Sequence, residues 1–166
     1  MSTQVISADS FQAVTFCLVD KQKREEYAIP IEQIREIRAV ETITNIPKAK
    51  SYVKGIMNLR GLIIPVIDVK EKLGIATEGQ SSSSKQRILV TEVNGKQTGF
   101  LVDEVDQVMR IQTKDLEAAP QSVLDSHNYI KGIVKLNQRL VVLLDVIRLL
   151  EESSSDISDI MGAAKQ

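Results

Sequence analysis

Apolar residues fall in short runs rich in Val and Ile, with turn-forming residues between them. The clearest case is Arg87-Ile88-Leu89-Val90-Thr91-Glu92-Val93, then Asn94-Gly95, then Gln97-Thr98-Gly99-Phe100-Leu101-Val102. An Asn-Gly pair between two such runs predicts a hairpin, because both residues tolerate positive φ. Residues 21–26 play the same part between Phe16-Cys17-Leu18-Val19 and Tyr27-Ala28-Ile29, without the Asn-Gly that would pin the register. Helix signals are few and short. Asp68 is placed to cap Val69-Lys70-Glu71-Lys72-Leu73, which Gly74 ends, and Asp145 to cap Val146-Ile147-Arg148-Leu149-Leu150. The pattern predicts a mainly β protein.

The two caps belong to a duplication. Shifting the sequence by 77 positions lays Tyr52-Val53-Lys54-Gly55-Ile56-Met57-Asn58-Leu59 over Tyr129-Ile130-Lys131-Gly132-Ile133-Val134-Lys135-Leu136, and the match runs on without a gap through Asp68/Asp145 to Leu73/Leu150. Upstream it resumes at an offset of 71, where Ile31-Glu32-Gln33-Ile34-Arg35-Glu36-Ile37 lies over Val102-Asp103-Glu104-Val105-Asp106-Gln107-Val108, so the second copy carries a longer connection within 111–128. A unit of about 70 residues is small for an independent core, so the copies are expected to bury their apolar faces against each other. The expected division is one domain over 13–150, its subdomains at roughly 13–79 and 85–150 with strand exchange between them open, and flexible tails at 1–12 and 151–166. The Ser-rich stretch 79–84 reads as a flexible joint, and Ile157, Ile160 and Met161 at helical spacing leave the C-terminal tail open between a weak helix and disorder.

Composition narrows the function. With 21 basic and 22 acidic residues the formal charge is −1, which gives no global attraction for nucleic acid or an anionic membrane. The aliphatic runs 62–67 and 140–144 are too short to span a bilayer, and the N-terminus lacks the basic-then-apolar order of an export signal, so a cytoplasmic protein is expected. Cys17, the single cysteine, can form neither an internal disulfide nor a cysteine-cluster metal site and reads as a small buried side chain.

Catalytic constellations are missing. His127 is the only histidine and sits in a polar loop, Asp125-Ser126-His127-Asn128, ordinary for a solvated connection. Asp103, Glu104 and Asp106 alternate faces or meet solvent in or near a strand and read as a solvated edge rather than an acid/base pair. No glycine-rich phosphate loop with a following Lys-Ser/Thr occurs. The reading is therefore a non-enzyme with no cofactor and no metal. What stands out is Ile56-Met57-Asn58-Leu59-Arg60-Gly61-Leu62-Ile63-Ile64-Pro65-Val66-Ile67-Asp68, where Gly61 can supply a turn, Pro65 suits an edge or a bulge, and Arg60 is presented at a hairpin tip. A guanidinium held there suits bidentate recognition of a partner's carboxylate or carbonyl, or braces its own fold; the residues alone leave both open.

The string Val53-Lys54-Gly55-Ile56-Met57-Asn58-Leu59-Arg60-Gly61 followed by Ile64-Pro65-Val66-Ile67-Asp68 resembles the signature of CheW-like domains. So do Tyr27-Ala28-Ile29-Pro30-Ile31 with Ile34-Arg35-Glu36-Ile37, and Gly99-Phe100-Leu101-Val102-Asp103 with Val105; the likeness covers about 13–150. It implies two duplicated five-stranded SH3-like β-barrels packed around a shared hydrophobic core, with short helices. By resemblance, such a chain is a bacterial chemotaxis adaptor that links methyl-accepting chemoreceptors to the histidine kinase CheA. Ending without a receiver or kinase domain, it matches the stand-alone coupler. Positions matching the family's receptor-facing groove are Ile34, Arg60 and Ile88, with Asn58 and Leu59 nearby; Glu36 matches a position of receptor or kinase contact. Periodicity alone favours burial of Ile34 and Ile88, and only the resemblance reverses this. Kinase contact resembles barrel-to-barrel pairing through exposed edges.

Two rivals remain at this level. The same fold can serve another sensory array, such as a type-IV-pilus pathway. A small β-barrel can also bind oligonucleotides, but that calls for a basic groove with exposed aromatics, and Phe and Tyr total six with no Trp. The free protein is expected to be a monomer, recruited to membrane-associated arrays without inserting into the bilayer.

Overall fold

Each apolar run forms a strand, and the chain's computed structural model describes residues 9–75, 84–126 and 128–150, with the side chains of 124–126 excepted. The elements are β1 (Ser10–Asp20), β2 (Lys23–Pro30), β3 (Ile34–Ala39), β4 (Val53–Leu59), β5 (Leu62–Asp68), α1 (Val69–Lys72), β6 (Arg87–Val93), β7 (Lys96–Val102), β8 (Glu104–Gln112), β9 (Leu116–Glu117), α2 (Gln121–Ser126), β10 (Ile130–Leu136) and β11 (Arg139–Leu144). Residues 146–150 are helical. His127, most of the 79–84 joint and the 151–166 tail lie outside the described residues, whereas Ser10 to Gln12, expected in a tail, are part of β1.

The turns follow from backbone chemistry. Asn94 and Gly95 adopt φ 53° and 77°, and Arg60 and Gly61 adopt 52° and 86°, the paired positive values of a two-residue hairpin turn. The first hairpin turns just after Asp20, with Lys21 at φ 58°, tighter than the six-residue connection expected from 21–26. Asp68 accepts from the N–H groups of Lys70 and Glu71, and Asp145 does the same for Ile147 and Arg148, so both helical turns are capped as the sequence indicates.

Two sheets result, in the orders β3-β6-β7-β5-β4 and β8-β1-β2-β11-β10-β9. Each draws strands from both halves of the chain: the β6/β7 hairpin sits with β3, β4 and β5, and β1/β2 sits with β8 to β11. The parallel pairings β5/β7 and β2/β11 are the junctions where one copy's hairpin joins the other copy's strands. Irregularities repeat with the duplication. Arg35 and Asp106, 71 apart, are skipped in the β3/β6 and β1/β8 ladders, and Lys54 and Lys131, 77 apart, in β4/β5 and β10/β11. Pro65 corrects its expectation: β5 is interior, and its pairing with β7 begins only at Val66, which spares the missing donor of Pro65 on that side.

The core has three parts. Met57, Leu59, Ile64, Val66, Ile88 and Val90 fill the five-stranded barrel, and Ala13, Ala28, Ile111, Val134, Val141 and Leu143 fill the other. Between them lies a larger cluster holding Phe16, Leu18 and Ile29 from one sheet and Ile67, Leu89 and Phe100 from the other, with Phe16 stacked on Tyr27 at 5.8 Å. Each such buried side chain contributes on the order of 1.5–3 kcal/mol, so neither copy can part from the other without exposing a shared core. Each barrel is then closed at an edge. Thr44 exchanges backbone hydrogen bonds of 2.8 and 2.9 Å with Ile56, and β9 pairs with β10.

Candidate partner-binding site

On β3, alternate residues share a face, so Glu36 and Arg38 project together. The β4/β5 turn brings Arg60 to them. Its Nη2 donates to Glu36 Oε1 at 3.0 Å and lies 2.8 Å from Oε2 in an ion pair. Arg38 donates through Nη1 to Glu36 at 3.2 Å and through Nη2 to Glu41 at 2.7 Å. The result is a chain of alternating charges, Arg60, Glu36, Arg38, Glu41. Arg60, followed by Arg38, holds the Glu36 carboxyl below its usual pKa. The buried Nε of Arg38 has no acceptor among the described residues, so its two carboxylates alone set its orientation. Beneath Arg60, the Asn58 side chain accepts from the N–H of Gly61 at 2.7 Å and fixes the turn. Arg60 is 66% exposed, so it braces the fold through Glu36 while presenting its guanidinium to solvent.

The expected site residues divide. Arg60, Glu36 and Asn58 gather at one surface. Ile34 is half-buried at the margin of the core shared by the barrels. Ile88 and Leu59 are not on that surface: they are 0% and 2% exposed inside the five-stranded barrel and support it from below. Asp103 also departs from a solvated edge, since its Oδ2 accepts from the Val19 N–H at 2.7 Å and lies 3.3 Å from Lys70 Nζ. Arg38 and Glu41 were missed, although Glu-x-Arg on one strand face was a readable signal.

Around the ion chain, Ile37, Val40, Leu62 and Ile63 are exposed. In the second barrel, Val108 and Leu140 are exposed at the positions equivalent to Ile37 and Ile63. There an open cavity of about 590 Å³ lies along the β2/β11 junction, lined by Arg24, Tyr27, Arg139 and Leu140. Arg24 pairs there with Glu104 at 2.8 Å and Arg139 with Glu26 at 3.0 Å, but the ion chain itself is not duplicated. By the offsets of 71 and 77, Glu36, Arg38, Glu41 and Arg60 correspond to Gln107, Met109, Gln112 and Asn137. Bulges, caps and turns recur in both copies, so the ion chain is not something the fold requires.

None of this makes a nucleophile or a metal centre. Burial pushes the Cys17 thiol above its ordinary pKa, which suppresses the reactive thiolate. Among the described residues no group of three or more His, Cys, Asp or Glu is placed to hold a metal ion, and no helix is long and apolar enough to cross a membrane.

The model of the CheW-like domain matches residues 12–154. The chain belongs to the CheW-like domain family. Among its relatives, the chemotaxis protein CheW of Helicobacter pylori is 35% identical over 151 residues, covering 91% of this chain and 88% of that one. The chemotaxis protein CheW of Thermotoga maritima is 33% identical over 153 residues, covering 92% and 95%. In structure, the scaffolding protein TtCheW from Thermoanaerobacter tengcongensis matches with a TM-score of 0.75 and 31% identity, over 85% of this chain and 92% of that one. That likeness covers the two packed β-barrels, the fold expected from the sequence.

Proposed function

We propose that this protein is a non-catalytic cytoplasmic coupler that links the cytoplasmic tip of methyl-accepting chemoreceptors to the histidine kinase CheA. Membership of the CheW-like family supports the role, and the observation that carries the site is the asymmetry of the duplication. The frame is built twice, while the ion chain Arg60, Glu36, Arg38, Glu41 is built once. An ion chain with no counterpart at the equivalent residues of the second barrel is the part of the molecule left for recognition. Arg60 offers a fork for a carboxylate or carbonyl, and Ile34 lies at the margin of the seam between the barrels. A helical receptor hairpin laid across this region takes the apolar contact from the seam and its register from Arg60. The kinase's own CheW-like domain pairs barrel to barrel, using exposed apolar side chains such as Ile63 and Leu140. Coupling is then allosteric, because a partner that competes with Glu36 for Arg60 shifts the balance between two arrangements of the ion chain.

Reconstitution tests this reading. Purified kinase mixed with a clustered chemoreceptor fragment is expected to change its autophosphorylation rate only when this protein is added. A kinase rate that ignores the addition contradicts the coupling role. Service in a pilus-type or other sensory array is distinguished by which receptor co-purifies with the protein.

A further inference from the structure

We propose that Asp103 is a positioning residue that fixes the two barrels relative to one another, and that the orientation it sets governs how a partner is seated across the seam; the second part rests on the coupling role above. Asp103 is the single residue between β7, in the five-stranded sheet, and β8, in the six-stranded sheet. Its carboxylate is bonded to both sides of that crossing. Oδ2 accepts from the backbone N–H of Val19 in β1 at 2.7 Å, and Lys70 Nζ, on the helical turn that continues β5, lies 3.3 Å away. The Asp103 and Lys70 side chains are only 18% and 10% exposed, so water screens the pair weakly.

The reason for assigning orientation rather than stability alone lies in how the two bodies are joined. Each barrel has its own ladder and its own apolar filling, and those hold it together internally. The cluster between them is apolar and carries no directional bond, so it limits the angle through side-chain shape alone. A hydrogen bond and an ion pair converging on one carboxylate at a one-residue crossing select one angle. The other crossing, between β2 and β3, has a related device, in which Gln33 Oε1 accepts from the N–H of Val146 at 3.1 Å. That contact is neutral and the Asp103 contact is charged, so Asp103 is the stronger constraint.

The test measures orientation on the free protein. Spin labels are attached at Lys54→Cys and Lys131→Cys, exposed equivalent positions on β4 and β10, while Cys17 is buried and stays unlabelled. Electron–electron distance measurements are made on the parent pair and on the same pair carrying D103N, D103A, or the control Val134→Ala. D103N keeps an oxygen for the Val19 N–H and removes the charge facing Lys70, so it serves even where D103A fails to fold. The parent and the Val134→Ala control are expected to give one narrow distribution, and D103N a broader or displaced one. A D103N distribution that superimposes on the parent's overturns the proposal, whatever its effect on thermal stability. Binding of a soluble chemoreceptor fragment is measured on the same variants: about tenfold weakening in D103N, in the range of ordinary coupling between sites, supports the second part, and unchanged binding alongside a broadened distribution overturns that part alone.

Discussion

Closure of the five-stranded barrel depends on one missing side chain, and Gly55→Ala measures how much. Gly55 has φ 151°, and a Cβ there would meet the Thr44 carbonyl oxygen at 2.1 Å, its carbonyl carbon at 2.8 Å and Ile43 Cγ2 at 2.9 Å. Backbone atoms cannot rotate away as a flexible side chain does, so the Thr44 segment must separate from β4. Separation breaks both Thr44/Ile56 hydrogen bonds, at roughly 0.5–1.5 kcal/mol net each. Left-handed strain adds about 1–2 kcal/mol, giving about 2–5 kcal/mol in all. Gly61→Ala is the control, because φ is 86° there but nothing lies within 4 Å, and strain alone predicts about 1–2 kcal/mol. Gly132→Ala falls between them: its Cβ would meet Leu116 Cδ1 at 2.7 Å and the Glu117 carbonyl oxygen at 2.9 Å, and the leucine can yield. Urea unfolding followed by circular dichroism ranks the three by midpoint at constant m. A Gly55→Ala protein as stable as Gly61→Ala would refute the steric account of closure.

Other expectations follow from the same geometry. Ile88→Ala lowers stability by about 2–5 kcal/mol in thermal unfolding but leaves affinity per folded molecule unchanged, because Ile88 is core; a loss of affinity in fully folded protein would restore it as a contact residue. Asp68→Ala costs about 1–2 kcal/mol and Asp145→Ala, nearer solvent, about 0.5–1 kcal/mol by the same unfolding measurement. Glu36 and Glu104 are held below the ordinary carboxylate value of 4.5, chiefly by Arg60 and Arg24. Their contribution is therefore present above that value and lost as pH falls through the depressed pKa. Unfolding midpoints from pH 7 to pH 2 are expected to fall less steeply in a Glu36→Gln, Glu104→Gln double variant than in the parent.

The sequence made the duplication legible because a bulge, a cap and a two-residue turn are local devices and leave the same marks in both copies. Which hairpin joins which sheet was less legible. Period-two alternation says which face of β6 and β7 is buried, and that face is the same whichever copy's strands lie alongside. The partner is decided by the short crossings at 31–33 and at Asp103, too tight to read from hydrophobic pattern. The surface divided similarly. Arg60 could be seen on its turn, yet its pairing with Glu36 depends on barrel closure bringing sequence-distant edges together. Ile88 and Leu59, moved to the surface on resemblance, belong where alternation along β6 and β4 would have put them. Asp103 was misread because its partners, Val19 and Lys70, come from a distant strand and a helical turn.

The most direct test of the coupling site is the binding of a soluble chemoreceptor fragment and of the CheA regulatory domain, each at fixed salt, to the wild type, Arg60→Glu, Glu36→Arg and the double exchange. The account predicts that the folded wild type binds both partners, and that Arg60→Glu sharply weakens one of them. The double exchange is expected to restore the internal pair without restoring that partner, which would meet a carboxylate where it needs a guanidinium. A folded wild type that binds neither partner would contradict the coupling role, and an Arg60→Glu protein that binds both as tightly as wild type would contradict the site.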